Sequence, residues 1–198
     1  MRAAVFVRYH SGDEMGHVAW CFDVSGDATS NSGSVENHTG RFVSASQNDG
    51  FWTQFSRNPV ALMRKREYDD AKFFDLPHGD AVTAYRVVLW IKERGYRALF
   101  RNCEDDAYDV LRAYGVQNLP APAMHWLPRR WFGLLGGTKV PVDEFDWQDG
   151  RATKTAENSN DVDFHALTPL HPTWRRPLHP NFHVLNARKL FAMLPGRS

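Results

Sequence analysis

Cysteine is scarce: the 198 residues hold two, Cys21 and Cys103. Two thiols make no disulfide framework, so a reducing compartment is expected. No apolar run approaches the roughly 18 residues that read as a membrane span, and no integral membrane segment is expected. The opening MRAAVFVRYHSGDEMGHV meets charge at Arg8 and Asp13 after a stretch too short for the apolar core of a signal peptide. The expectation is a cytoplasmic chain, or one delivered outside the cell by a route without a cleaved leader. Charge of one sign is also lacking. The chain has 24 Lys and Arg against 23 Asp and Glu, a net +1, which disfavours a nucleic-acid binder. There is no internal repeat. There is no phosphate loop either, because Gly133, Gly136 and Gly137 are not followed by Lys-Ser or Lys-Thr in register.

Apolar residues are plentiful, at 42% with 13% aromatic, enough to build a core without a metal or a disulfide. Near-neutrality conceals a division. Residues 164–198 carry Arg175, Arg176, Arg188, Lys189 and Arg197 and no acid, together with His165, His171, His179, His183 and five of the eleven prolines. Just before them, residues 143–163 hold seven acids against Arg151 and Lys154. A boundary near 150–163 follows, giving a domain over 1–150 and, over 151–198, a polar linker with a Pro/His-rich basic extension. Opposite charge predicts that the extension folds back on the domain, with Val184, Leu185, Arg188, Leu190, Phe191 and Leu194 forming a docked amphipathic helix.

Patterning gives an α+β chain. Ala3–Val7 and Val18–Val24 are β-prone runs bounded by glycine or charge. The polar DVSGDATSNSGS reads as a turn, with a short strand at about 35–38 after it. A short basic helix is expected over 56–66 and a strand over 71–76. From Asp80, residues Ala84, Val87, Val88 and Ile91 repeat with helical spacing as far as Gly95. Asn102 is an N-cap with Asp105 three residues on, Ala107, Val110, Leu111 and Tyr114 share one face, and Gly115 suits the left-handed residue after a helix. A last short helix is expected over 129–135.

Cys103 lies in the first turn of the clearest helix. Helix-terminal amides and the dipole favour a thiolate and an oxyanion, whereas Glu104, Asp105 and Asp106 oppose ionisation, so an imidazole partner is required. His17 opens a strand and can serve as that base. A base needs a third polar group to orient it, and Glu36, Asn37 and His38 are the candidates. His10 is a poorer base, on a loop. The competing reading of Cys103 is a small buried hydrophobe.

The histidine of GHVAW, a following strand with polar residues, and YRALFRNCEDDAYDVLRAYG resemble the circularly permuted NlpC-like branch of the papain-like thiol hydrolases, which also includes lecithin:retinol acyltransferase. The resemblance rests on Tyr96, Asn102, Cys103 and Gly115 and on the proline-bearing segment from Pro120 to Leu135. It implies a small antiparallel sheet packed on the cysteine helix, Cys103 as nucleophile, His17 as base and, since the family often uses a second histidine, His38 as orienting residue. It also implies a peptide, peptidoglycan-like or acyl substrate. The chain departs from the family in having neither the membrane-associated segment and post-cysteine histidine of the acyltransferases nor the export signal of wall-cutting members.

The expected activity is therefore a cysteine-dependent hydrolase or acyltransferase, cutting an amide, ester or thioester bond through an acyl-enzyme on Cys103, without a cofactor. The alternative is a non-catalytic binding module on the same scaffold, using its basic tail. Zinc binding by His179 and His183 with His171 or His165 is disfavoured by Pro180 and the absence of accompanying cysteine or acid. The Arg-Arg pairs beside Trp126, Trp131 and Trp174 are too thin a footprint for single-stranded nucleic acid. Tyr96 is a candidate near an oxyanion or a core aromatic.

Overall fold

Alternation of side chains governs the first half of the protein. A computed structural model describes residues 1–11, 15–24, 29–36, 50–94, 102–122, 127–148 and 162–172. Strands β1 (Arg2–Arg8) and β2 (His17–Asp23) run antiparallel, with Val5 opposite Trp20 and Arg8 opposite His17. Ala3, Val5, Val7, Val18, Trp20 and Phe22 face one side, and Ala4, Phe6, Ala19 and Cys21 face the other. Both faces are covered, which explains why these strands read as almost unbroken apolar runs.

Next to β2 lies β3 (Ser30–Val35), and beyond it β4 (Phe51–Ser56). This differs from the expected turn and later strand. Ser-Asn-Ser-Gly-Ser has poor strand propensity, but its neighbours satisfy it. Asn31 accepts from Trp20 Nε1 and donates to Thr53 Oγ1. Ser30 donates to Asp23. Gly33 lets the Trp20 ring lie directly on the strand, where an added Cβ would stand 2.4 Å from Trp20 Cζ2.

On the other side of β1, β5 (Asp70–Asp75) pairs with it and β6 (Thr138–Pro141) pairs with β5. The six-stranded antiparallel order is β4-β3-β2-β1-β5-β6. Helix α1 (Pro59–Lys65), capped by Asn58, packs with Tyr68, Phe145 and Trp147 on the Ala4/Cys21 face. Helices α2 (Ala81–Arg94), α3 (Cys103–Tyr114) and α4 (Pro128–Leu134) cover the opposite face. Asp80 begins α2, its Oδ1 accepting from Thr83 N at 2.9 Å.

The described part of the C-terminal stretch, 162–172, lies along α2. Leu170 N donates to Arg86 O and Arg86 Nε to Thr168 O, both at 3.0 Å. Phe164 meets Phe55 and Tyr85, and His171 sits edge-on to Trp90. The amphipathic run 184–194, with His179 and His183, falls outside the described residues. Among the described residues no helix is long and apolar enough to cross a membrane.

Candidate thiol site at the head of α3

A capping box fixes where α3 begins. Asn102 Oδ1 accepts from Glu104 N and Asp105 N, each at 3.0 Å, and Asp105 Oδ2 accepts from Asn102 N at 3.3 Å. The helix ends at Gly115 with φ 113°, a left-handed conformation that glycine adopts without steric cost. A buried ion pair then holds α3 against α2. Arg94 reaches Asp106 and Asp109 while its guanidinium stacks 3.7 Å above the Trp90 ring centroid. Breaking such a buried pair from one side costs about 3–5 kcal/mol, so the first turn of α3 is rigidly placed.

That turn carries Cys103, buried at 5% exposure. Burial pushes the thiol well above the ordinary range. The Val18 backbone works the other way, and the charges of Glu104, Asp106 and Asp105 add to the upward shift. The resting thiol is protonated. Cys103 belongs to the buried cluster that Val18, Trp20 and Phe22 of β2 line on the α3 face of the sheet.

His17 is 6% exposed, on the sheet face away from α3. Its Nε2 lies 2.9 Å from Ser34 Oγ and 3.8 Å from Glu36 Oε1. Ser34 Oγ donates its proton to Val18 O at 2.7 Å, so toward the imidazole it acts as an acceptor. Together with the carboxylate this favours the tautomer protonated on Nε2. Glu36 is a hub. It accepts from Trp52 Nε1 at 3.0 Å and lies 3.9 Å from Arg8 and 3.8 Å from Arg66. Gly50, φ 73°, holds it from below: Glu36 N donates to Gly50 O at 2.8 Å, and a Cβ on Gly50 would overlap Glu36 O.

Tyr68 completes the cluster. The chain leaves α1 through Glu67 in the left-handed region, φ 61°, and this turn lays Tyr68 back on the sheet. Its ring is edge-on to Phe6 at 6.3 Å and 6.0 Å from the His17 ring, with the Arg8 guanidinium 5.6 Å above it. Burial raises its pKa well above the usual phenol value, the Glu36 charge and Cys103 push the same way, and Arg8 and Arg66 oppose them. The hydroxyl is buried without a hydrogen-bond partner, which costs a folded protein about 1–3 kcal/mol.

Of the residues singled out in the sequence, His17 and Glu36 come together, Cys103 lies in the buried cluster on the other face of β2, and Asn102 is a helix cap. Asn37, His38 and Tyr96 lie outside the described residues. His10 is exposed. Cys21 is fully buried on the α1 face and is not in a disulfide. Sequence reasoning missed Ser34, Arg8, Arg66, Trp52 and Tyr68. Ser34 would have emerged had the serines of β3 been read as a period-two set. Tyr68, in a turn between two elements, gave no signal. Compared with models of protein families, with curated proteins and with solved structures, the chain matches none of them.

Proposed function

We propose that the protein is a thiol-dependent hydrolase or acyltransferase of papain-like architecture, acting on an amide, ester or thioester of a peptide, peptidoglycan-like or acyl substrate. The supporting observation is that α3, which Cys103 opens, packs on β2, which His17 opens, with the imidazole beside Ser34 and Glu36 on the other face of that strand. Because the resting thiol is protonated, proton transfer to His17 accompanies attack on the carbonyl. The acyl group passes to sulfur, the leaving group takes the proton from His17, and water or another acceptor releases the product. Ser34, backed by Glu36, fills the orienting role here, and His38 is the further candidate outside the described residues.

Alkylation with iodoacetamide at near-neutral pH, mapped by mass spectrometry, tests this. The expected outcome is labelling of Cys103 ahead of Cys21 and, decisively, at least tenfold slower labelling of Cys103 in His17→Ala. Sluggish labelling of both thiols, indifferent to His17, sinks the catalytic reading. It would favour the second one, a binding module whose Cys103 is a core residue, a reading that the burial of the thiol supports.

A further inference from the structure

Positive charge collects at one end of the α1 face. The sheet register sets Arg8 of β1 opposite His17 of β2, and Glu36, just past β3, reaches the same row with Oε1 3.8 Å from His17 Nε2. Arg66 and Tyr68 join it from the turn that follows α1. Two guanidiniums thus share one carboxylate, and Arg66, the most open of the three side chains, is only 33% exposed. Glu67 and Asp69 flank Tyr68 in the chain but are exposed; among the described residues neither pairs with Arg8 or Arg66, and Asp69 Oδ2 accepts from Tyr9 N at 2.7 Å.

Glu36 balances half of this charge without hydrogen-bonding it. Arg8 Nη2 stands 3.9 Å from Oε2 and Arg66 Nη1 3.8 Å from Oε1, beyond the N–H···O range of about 2.7–3.2 Å. The close donor to the carboxylate is Trp52 Nε1, at 3.0 Å. Guanidinium N–H groups are therefore left over. Arg8 Nη1 donates to Arg66 O and Nη2 to Ser11 Oγ, while its Nε is buried without a partner. Arg66 is stacked 3.7 Å above the Trp52 ring centroid, which fixes the plane of its fork. The Tyr68 hydroxyl, on a ring packed against His17 and under Arg8, is a second buried donor without a partner. Native proteins rarely keep such groups unsatisfied unless they have a task.

We propose that this cluster is a binding site for a tetrahedral oxyanion, a phosphate monoester or inorganic phosphate, held between the guanidiniums of Arg8 and Arg66, with Glu36 as the counter-charge when no ligand is bound. The two forks come from different elements, β1 and the turn after α1. A tetrahedral group with several terminal oxygens can answer both at hydrogen-bond distance; the planar carboxylate of Glu36 reaches neither. Glu36 then opposes the ligand and sets its affinity. The inference is independent of the thiol-enzyme reading, because the cluster lies on the face of the sheet away from Cys103.

Titration of the full chain with sodium phosphate at near-neutral pH, followed by NMR at the Trp52 indole N–H and matched in ionic strength with sodium chloride, tests the site. The expected result is a saturable shift in phosphate that chloride does not produce. In Arg66→Gln the affinity should fall about tenfold or more, as loss of a hydrogen bond to a charged group implies. Arg66→Lys, which keeps the charge and loses the fork, should recover only part of it. Glu36→Gln keeps an acceptor for Trp52 and removes the opposing charge, so phosphate should bind several-fold more tightly. The dispersion of each spectrum shows whether the variant is folded. A linear shift equal in phosphate and chloride overturns the inference, as does saturation that survives Arg66→Gln in a folded variant. Acetate binding as tightly as phosphate overturns the tetrahedral class, and unchanged or weaker binding in Glu36→Gln overturns the role given to Glu36.

Discussion

Asn102 and Cys103 are consecutive, so the cap that begins α3 also sets the environment of the thiol, and three substitutions at 102 pull these effects apart. Asn102→Ala removes the acceptor for two amides, on residues only 1% and 5% exposed. Water cannot replace it there, so the loss belongs near the upper end of the capping range, about 2 kcal/mol. For a protein of this size a kilocalorie moves the melting temperature by about 2–4 °C, so a drop of about 4–8 °C is expected. Asn102→Ser keeps an acceptor and should recover most of it. Asn102→Asp should recover stability equally, but it adds a fourth carboxylate to a turn that already holds Glu104, Asp105 and Asp106, and alkylation of Cys103 should be several-fold slower than in the serine variant. Thermal melts and timed iodoacetamide labelling read the two axes independently. An alanine variant melting within about 1 °C of the parent would refute the capping argument, which expects the loss of a buried cap to register. Equal labelling of the Asp and Ser variants would refute the claim that local carboxylates tune the thiol.

Alkaline conditions should destabilise the fold through Cys103. Its pKa is raised in the folded state, so its contribution is complete below the ordinary thiol value of about 8.5 and is lost as pH rises beyond it, where only the unfolded chain releases the proton. Urea midpoints should fall from about pH 9 upward, and less steeply for Cys103→Ser; parallel curves would contradict this. In the sheet, Gly33→Ala forces a Cβ to within 2.4 Å of Trp20 Cζ2 and 2.7 Å of Trp52 O. A loss of about 1–3 kcal/mol or more in denaturant titration is expected, and an unchanged midpoint would show that β3 can move away from the ring.

The helices were the legible part of the fold. Asn102, Asp105 and Gly115 each specify a backbone conformation locally, and the observed α3 starts and stops where they require. β1 and β2 were legible for a related reason, since apolar and β-branched residues dominate both. β3 was misread because its strand character comes from neighbours: Trp20 needs Gly33 beneath it, and Asp23 and His17 supply hydrogen bonds to Ser30 and Ser34. β4 and β6 are held by pairing across long sequence distances, which no local window contains. The site divided likewise. Cys103 and His17 stood out as chemical types at element starts, while Ser34 and Tyr68 reach His17 only through where the sheet and a left-handed Glu67 place them.

The chain order of the sheet and the helices has a consequence for synthesis. β1, β2 and β3 are sequential neighbours, and β5 returns to β1, so the layer bearing His17 emerges from the ribosome and can close through largely short-range pairing before α3 exists. The thiol arrives later, on a helix whose partner α2 immediately precedes it, and joins the cluster lined by Val18 and Trp20 only when this helical pair docks on a sheet that still lacks β6. The core on the α3 face therefore closes late, and a nascent chain stopped before Asn102 would leave Val18, Trp20 and Phe22 without the cover of α3.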